Sequence, residues 1–148
     1  MSDQSSSASV LPVKLWTPRV IMFTTLFVGF PSGIALASIN WMRMGMMNKA
    51  IVHLTGGAIG ALIFIILSLL LPGNVGGGIG ILANVGILTY LRIQMKNDIE
   101  KFKAANRVVQ NSSWLIGFLI GLGVFALYLA LVFGVTVALT IVGVPIPE

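Results

Sequence analysis

Three stretches of the chain contain no Asp, Glu, Lys or Arg, and they limit its fold more than any other feature. They run from Val20 to Met42, from Ala50 to Leu91 and from Asn111 to Pro147. A helix needs roughly 20 apolar residues to cross the hydrocarbon of a bilayer, so the second stretch has room for two crossings. Only 9% of the 148 residues are charged, whereas a soluble domain carries about a quarter. The chain is therefore predicted to be an integral membrane protein.

Turn signals and basic residues divide these stretches into four apolar segments. Backbone polar groups in hydrocarbon have to be paired within their own segment, and no segment shows strand-like alternation, so helices are predicted. The predicted fold class is an all-α membrane protein with a bundle of four transmembrane helices. Residues 18–148 form its single membrane domain, and residues 1–17 are predicted to be a disordered polar tail. The spans are placed at about 20–41, 50–71, 75–92 and 113–142.

Pro31-Ser32-Gly33 lies in the middle of the first segment, where it predicts a kinked or broken helix. A kinked crossing helix is the favoured interpretation, and it places both termini outside the cell. The alternative is a re-entrant hairpin with its tip at Pro31–Gly33, which puts all nine basic residues on one side. Such a tip has to be shielded by protein. A third interpretation is a cleavable signal sequence, with Ala35-Leu36-Ala37 as the cleavage pattern.

Most of the basic residues lie in two short segments between apolar ones. Residues 43–49 and 92–107 hold seven of the nine Lys and Arg residues, in a chain with a net charge of +5. An excess of Lys and Arg marks cytoplasmic loops, so both loops are predicted to be cytoplasmic in a multi-pass protein of the inner or plasma membrane. Because there is no soluble basic domain to present to nucleic acid, no such partner is predicted.

Residues 92–110 have the pattern of a basic amphipathic helix. Charged and apolar residues occupy opposite faces: Lys96, Glu100, Lys103 and Arg107 on one, and Met95, Ile99, Phe102 and Val109 on the other. In one interpretation the helix lies along the membrane surface, and Lys96, Lys103 and Arg107 contact anionic lipid headgroups. In the other, it lengthens the third helix into the cytoplasm and packs on its neighbour.

Glycines recur four residues apart in several apolar segments. Small residues at this spacing let membrane helices approach closely. Packing inside the chain is the simpler interpretation, and self-association or a partner face is the alternative, with Gly117 and Gly121 as the favoured site. The candidate helix-packing or oligomer face comprises Gly29, Gly33, Gly56, Gly60, Gly117 and Gly121.

Few polar side chains fall within the apolar segments. Asn84 lies deep in the third, where it is predicted to hydrogen-bond a neighbouring helix or, alternatively, to line a substrate path. His53 is the only histidine, there is no cysteine, and all four acidic residues lie outside the apolar segments. No catalytic residue, metal site or cofactor is predicted.

The stretch FVGFPSGIALASIN (residues 27–40), followed by Arg43, Gly45 and Lys49, resembles the opening of small uncharacterised bacterial membrane proteins with four spans. The later layout is also similar: a turn with proline, a third span, a polar segment, and then Ser113-Trp114 at the start of the last span. The resemblance implies an architecture and a bacterial membrane, and it implies no chemistry.

Small size, small-residue faces and the lack of catalytic groups favour a non-enzymatic subunit or scaffold, which acts through helix–helix contacts in the lipid bilayer. Its partner is a second copy or a larger membrane complex. The alternative is a small oligomeric transporter or channel, in which Asn84 and the Pro31–Gly33 break line a path. Ionisable groups usually accompany such paths, and the apolar segments have none. A membrane enzyme ranks third.

Overall fold

The computed structural model describes residues 11–71 and 73–143, and for residues 73–77 it describes the backbone only. The all-α fold is confirmed for this part of the chain. The first ten residues of the predicted tail lie outside it. The elements follow in the order β1 (Val13–Leu15), α1 (Pro18–Val28), α2 (Phe30–Arg43), α3 (Met47–Leu70), α4 (Gly73–Ala104), β2 (Val109–Asn111) and α5 (Trp114–Val142).

Among the described residues, three helices are long and apolar enough to cross a bilayer: α3, the part Gly78–Ala104 of α4, and α5. The 24 residues of α3 extend about 36 Å at 1.5 Å per residue, which exceeds the roughly 30 Å of hydrocarbon. These helices correspond to the predicted segments at 50–71, 75–92 and 113–142. They support a membrane-embedded protein.

The first predicted segment is two short helices rather than one crossing helix. α1 and α2 have 11 and 14 residues, or about 16 and 21 Å, so neither spans the hydrocarbon alone. Gly29 separates them with φ 111° and ψ 162°, a backbone conformation that only glycine adopts at low cost. The break therefore lies at Gly29, two residues before the predicted Pro31–Gly33. Pro31 is in the first turn of α2, where its missing N–H has no helical acceptor to lose.

The outer ends of α1 and α2 meet. The backbone N–H of Trp16 donates to Asn40 Oδ1 at 3.0 Å, and Asn40 Nδ2 donates to the Trp16 carbonyl at 2.7 Å. Arg43 donates to the carbonyl of Lys14 at 2.9 Å. Because Trp16 precedes α1 and Asn40 lies in the last turn of α2, the pair forms a hairpin that returns to the end where it began. The bundle of four transmembrane helices is thus not confirmed, and within the described residues α1 and α2 form a helical hairpin whose open ends lie together.

A two-stranded parallel pair and several helix ends form one end of the molecule, which we call the basic end. β1 pairs with β2 in the register Val13↔Val109, and the Trp16 indole N–H donates to the Ser113 carbonyl at 2.9 Å. All nine Lys and Arg residues lie in or next to these elements. Within the described residues, β1 lies in the part predicted to be a disordered tail, and Leu15 and Trp16 are fully buried.

The predicted amphipathic helix over residues 92–110 continues α4 without a break to Ala104, so this part lengthens the third apolar helix. The prediction is wrong for the rest of the segment, because Arg107 follows the helix and Val109 lies in β2. Met95 and Ile99 are buried in the core at the basic end, as their predicted apolar face requires. Lys96, Lys103 and Arg107 are exposed on the outside. Their contact with lipid headgroups stays a prediction.

The hairpin lies at the centre, and α2 packs against α1, α3, α4 and α5. Its tip is surrounded by side chains of the crossing helices, among them Phe64 and Phe125. Glycine permits the closest approaches. A Cβ at Gly33 would lie 1.8 Å from Thr25 Oγ1, and one at Gly121 would lie 2.4 Å from Thr24 Cγ2.

Gly33→Ala is expected to destabilise the protein by about 1–3 kcal/mol, the usual cost of overpacking a core, because the added methyl group meets buried Thr25. The midpoint of thermal unfolding in detergent checks this. Gly86→Ala is the control, since no atom lies within 4 Å of a Cβ there. Thr25→Ala combined with Gly33→Ala should recover part of the loss, and an equal loss in the double variant would contradict the packing argument.

Candidate functional site

Three of the six glycines predicted to form a packing or oligomer face are used inside the chain. Gly33 and Gly121 receive the threonines of α1, and a Cβ at Gly117 would lie 2.8 Å from Trp16 Nε1. Gly117 and Gly121, the favoured self-association site, therefore face the hairpin instead of a partner. Side-chain packing by α1 takes the space that a second chain would need.

The other three predicted glycines have different roles. Gly29 forms the break between α1 and α2. Gly56 and Gly60 of α3 contact nothing: no heavy atom lies within 4 Å of a Cβ built at either position. Both line a groove between α3 and α4, described below. The glycine of α3 that packs tightly is Gly57, where a Cβ would lie 2.8 Å from the Ile34 side chain.

α5 carries a line of small residues that the sequence analysis missed. Gly123, Ala126, Ala130 and Gly134 are spaced by three, four and four residues, so they lie on one face of the helix. All four are exposed, and a Cβ at Gly123 or Gly134 would meet no atom within 4 Å. This α5 small-residue face points away from the bundle, opposite to Gly121. Its spacing is visible in the sequence, but which face of α5 turns inward depends on the hairpin.

The hairpin tip and Asn84 line the same cavity of about 180 Å³. Asn84 Oδ1 is buried and accepts no hydrogen bond from the described residues, so this oxygen does not make the predicted bond to a neighbouring helix. The structure does bring Asn84 beside the break in the first segment, as the path hypothesis required. The cavity is lined by Val28, Gly29, Phe30, Pro31, Phe64, Gly80, Asn84, Phe125 and Tyr128.

A buried polar network joins three helices near the basic end. Trp41 of α2 donates its indole N–H to Asp98 Oδ2 of α4 at 2.7 Å. Lys49 of α3 forms a salt bridge with the same carboxylate and donates to Gln94 Oε1 at 2.9 Å. The sequence analysis missed this network, although Asp98 follows Met95 by three residues and so lies near the apolar face of its helix.

His53 extends the network from α3 to α4. Its Nδ1 lies 2.8 Å from the Lys49 carbonyl oxygen and its Nε2 lies 2.8 Å from the Tyr90 hydroxyl. The Trp41 ring packs against it with centroids 4.3 Å apart. His53 is thus a satisfied residue near the basic end. Within the described ranges, no group of three His, Asp or Glu residues could hold a metal ion.

Beside His53 and Tyr90, an apolar groove of about 430 Å³ runs along α3 and α4 and is closed on its inner side by α2. Its lining comprises Phe30, Ile34, Val52, His53, Gly56, Gly57, Gly60, Ile63, Phe64, Leu67, Ala83, Ile87, Tyr90 and Leu91.

No family model matches the chain, and neither a curated protein nor a solved structure gives a significant match. The resemblance to small bacterial membrane proteins stays a prediction. Three features of the structure could bind a partner or a ligand: the α5 small-residue face, the hairpin-tip cavity and the α3–α4 groove.

Asp98→Asn is expected to destabilise the protein by about 1–3 kcal/mol, because it removes the charge that pairs with Lys49. Breaking a fully buried pair costs about 3–5 kcal/mol, and Lys49, with 28% of its side chain exposed, can partly turn to water. Thermal unfolding in detergent measures the loss. Glu100→Gln breaks only the exposed 3.9 Å pair with Lys96 and should leave the midpoint unchanged. Equal midpoints for the two variants would contradict a structural role for Asp98.

Proposed function

We propose that the protein is a non-enzymatic subunit or scaffold of a membrane assembly and joins it through the α5 small-residue face. The observation that carries this proposal is the line Gly123, Ala126, Ala130 and Gly134 on the outside of the bundle. Lipid chains are as apolar as leucine, so helices associate in a bilayer through close packing, which small residues allow. The exposed side chains of Leu127 and Phe133 flank the line and leave a shallow channel that fits another helix.

The partner proposed first is a second copy of the chain. Two α5 helices can place the same face against each other around a twofold axis, and such an isologous contact needs no further surface. The line covers 12 residues, or about 18 Å of helix, which is long enough for one crossing contact.

The proposed arrangement in the membrane has three crossings and a hairpin that enters from one side. It collects all nine basic residues at the basic end, and the excess of Lys and Arg in cytoplasmic segments supports placing that end in the cytoplasm. Loops 43–49 and 92–107 are then cytoplasmic, and the end of α5 is on the opposite side of the cell membrane. In this orientation Lys96, Lys103 and Arg107 lie where headgroups can contact them.

Ala130→Leu and Gly134→Leu are each expected to shift the protein from dimer to monomer, because a leucine fills the space of the facing backbone. Single-molecule photobleaching of labelled protein in liposomes, over a range of protein-to-lipid ratios, measures the shift. Gly86→Leu on α4 is the matched control and should leave the dimer intact. If all three variants stay dimeric, or if the parent chain is monomeric at every ratio, the α5 small-residue face is not the contact.

A small transporter or channel is the second candidate, and the hairpin-tip cavity favours it. Interrupted helices in transporters place free backbone groups beside the substrate, and here the break at Gly29 lies with Asn84 in one cavity. An amide oxygen without a partner in hydrocarbon is costly, so water or a polar solute would stabilise it. Because the cavity has no ionisable acid or base other than the Tyr128 phenol, the solute proposed is small and uncharged.

Asn84→Leu is expected to abolish permeation of water, urea or glycerol through protein-containing liposomes, since leucine removes the one side-chain amide among the described lining residues of the cavity. Light scattering after an osmotic step measures the rates. Thr89→Val is the control, because the Thr89 hydroxyl donates to the Val85 carbonyl of its own helix and lines no part of the cavity. Parent rates equal to those of protein-free liposomes for all three solutes would eliminate this candidate.

A further inference from the structure

The α3–α4 groove combines a long apolar wall with polar groups at one end only. Of its lining residues in the described chain, His53 and Tyr90 alone have polar side chains. Both lie toward the basic end: His53 is six residues into α3, about 9 Å along the helix. The remaining lining on α3 continues to Leu67. The polar end of the groove thus lies at the depth of a membrane interface, and its apolar part lies in the hydrocarbon.

The length and volume of the groove indicate what kind of ligand it can hold. Its lining on α3 runs from Val52 to Leu67, about 22 Å of helix. Its volume of about 430 Å³ is a small fraction of what a helix about 10 Å across would occupy over that length. A single extended hydrocarbon chain fits. Gly56 and Gly60 form the floor, and no side chain of the described residues lies within 4 Å of a Cβ built at either position.

The hydrogen bonds of His53 determine which polar atoms the groove offers to a ligand at this end. A carbonyl oxygen only accepts, so the contact with the Lys49 carbonyl places the ring hydrogen on Nδ1. Nε2 of the neutral ring is then an acceptor, and Tyr90 donates its hydroxyl hydrogen to it. The Tyr90 oxygen keeps lone pairs free, and the residue is 47% exposed. It therefore offers an acceptor at the end of the apolar groove.

The charged residues near the groove limit which head group a bound ligand can have. No Lys or Arg lines the groove, and the nearest ammonium group, that of Lys49, is paired with Asp98 and Gln94. Among the described lining residues of the groove, no side chain would compensate a phosphate or carboxylate. A ligand bound here has an uncharged head.

We infer that the α3–α4 groove binds a neutral single-chain amphiphile, such as a long-chain alcohol or a monoacylglycerol, whose hydroxyl group donates to Tyr90. The chain lies along Gly56 and Gly60, and the head lies toward the basic end. Binding here is separate from association through α5, because Gly134 and Gly60 lie on different helices and line different surfaces.

The test uses the full chain in phosphatidylcholine nanodiscs and hexadecanol with a photoreactive diazirine near the end of its alkyl chain. Mass spectrometry should locate the label between Val52 and Leu67 of α3, or on the facing part of α4. Unlabelled hexadecanol should compete about tenfold better than hexadecane, the ratio that one net hydrogen bond of about 1–1.5 kcal/mol produces. Phosphatidylglycerol should compete poorly.

Two kinds of variant test the apolar groove and its polar end separately. Gly60→Leu should abolish labelling by filling the groove, whereas Gly134→Leu on α5 should leave it unchanged. Tyr90→Phe should retain the label and remove the preference for alcohol over alkane, a ratio that general loosening of the fold would not change. Equal competition by alkane in the parent chain, stronger competition by phosphatidylglycerol, or labelling unaffected by Gly60→Leu would each overturn the inference.

Discussion

A chain that reverses direction among apolar helices has to cover the polar backbone of its turn, and the arrangement of the described residues depends on that requirement. The turn is at Gly29, and α3, α4 and α5 surround it. Two polar side chains that the hairpin carries inward are paired: Thr25 donates to the Ile21 carbonyl at 2.7 Å, and Ser32 donates to the Gly121 carbonyl at 2.8 Å. The buried Ser38 hydroxyl has no hydrogen-bond partner among the described residues. The Ser32 bond crosses between helices, so it fixes α5 against the hairpin as well as satisfying the hydroxyl group.

The same turn explains why the polar contacts concentrate at the basic end. A hairpin that returns to its starting end leaves both of its open ends to be held together, and Asn40 does this by bonding both the N–H and the carbonyl of Trp16. The paired strands and the Asp98 network add connections to α5, α3 and α4. Each of these contacts joins segments far apart in sequence. The basic end therefore holds the open ends of the hairpin against α3, α4 and the segment before α5.

Much of this architecture follows from local sequence, and the rest depends on contacts between distant residues. The three long helices could be predicted because charge-free length alone specifies them, as could the inward face of α4 from Met95 and Ile99. From the sequence, the hairpin could be proposed but could not be preferred to a kinked helix, since Pro31-Ser32-Gly33 fits a kink and a turn equally well. The deciding contact, between Asn40 and Trp16, joins residues 24 apart. The inward position of Gly117 and Gly121 could not be predicted either, because it requires knowing that Trp16 and Thr24 pack there.

The hairpin accounts for two open spaces in the structure, which are the hairpin-tip cavity and the α3–α4 groove. Its two helices extend about 16 and 21 Å, little more than half of the bilayer hydrocarbon, so the far halves of α3, α4 and α5 have no fourth helix between them. Asn84 is beside the tip because this is where the central packing stops. The α3–α4 groove persists because α2 inserts a side chain at Gly57 but not at Gly56 or Gly60. The hairpin therefore supplies the polar contacts of the basic end, and the α3–α4 groove lies beside it, with Phe30 and Ile34 of α2 in its lining.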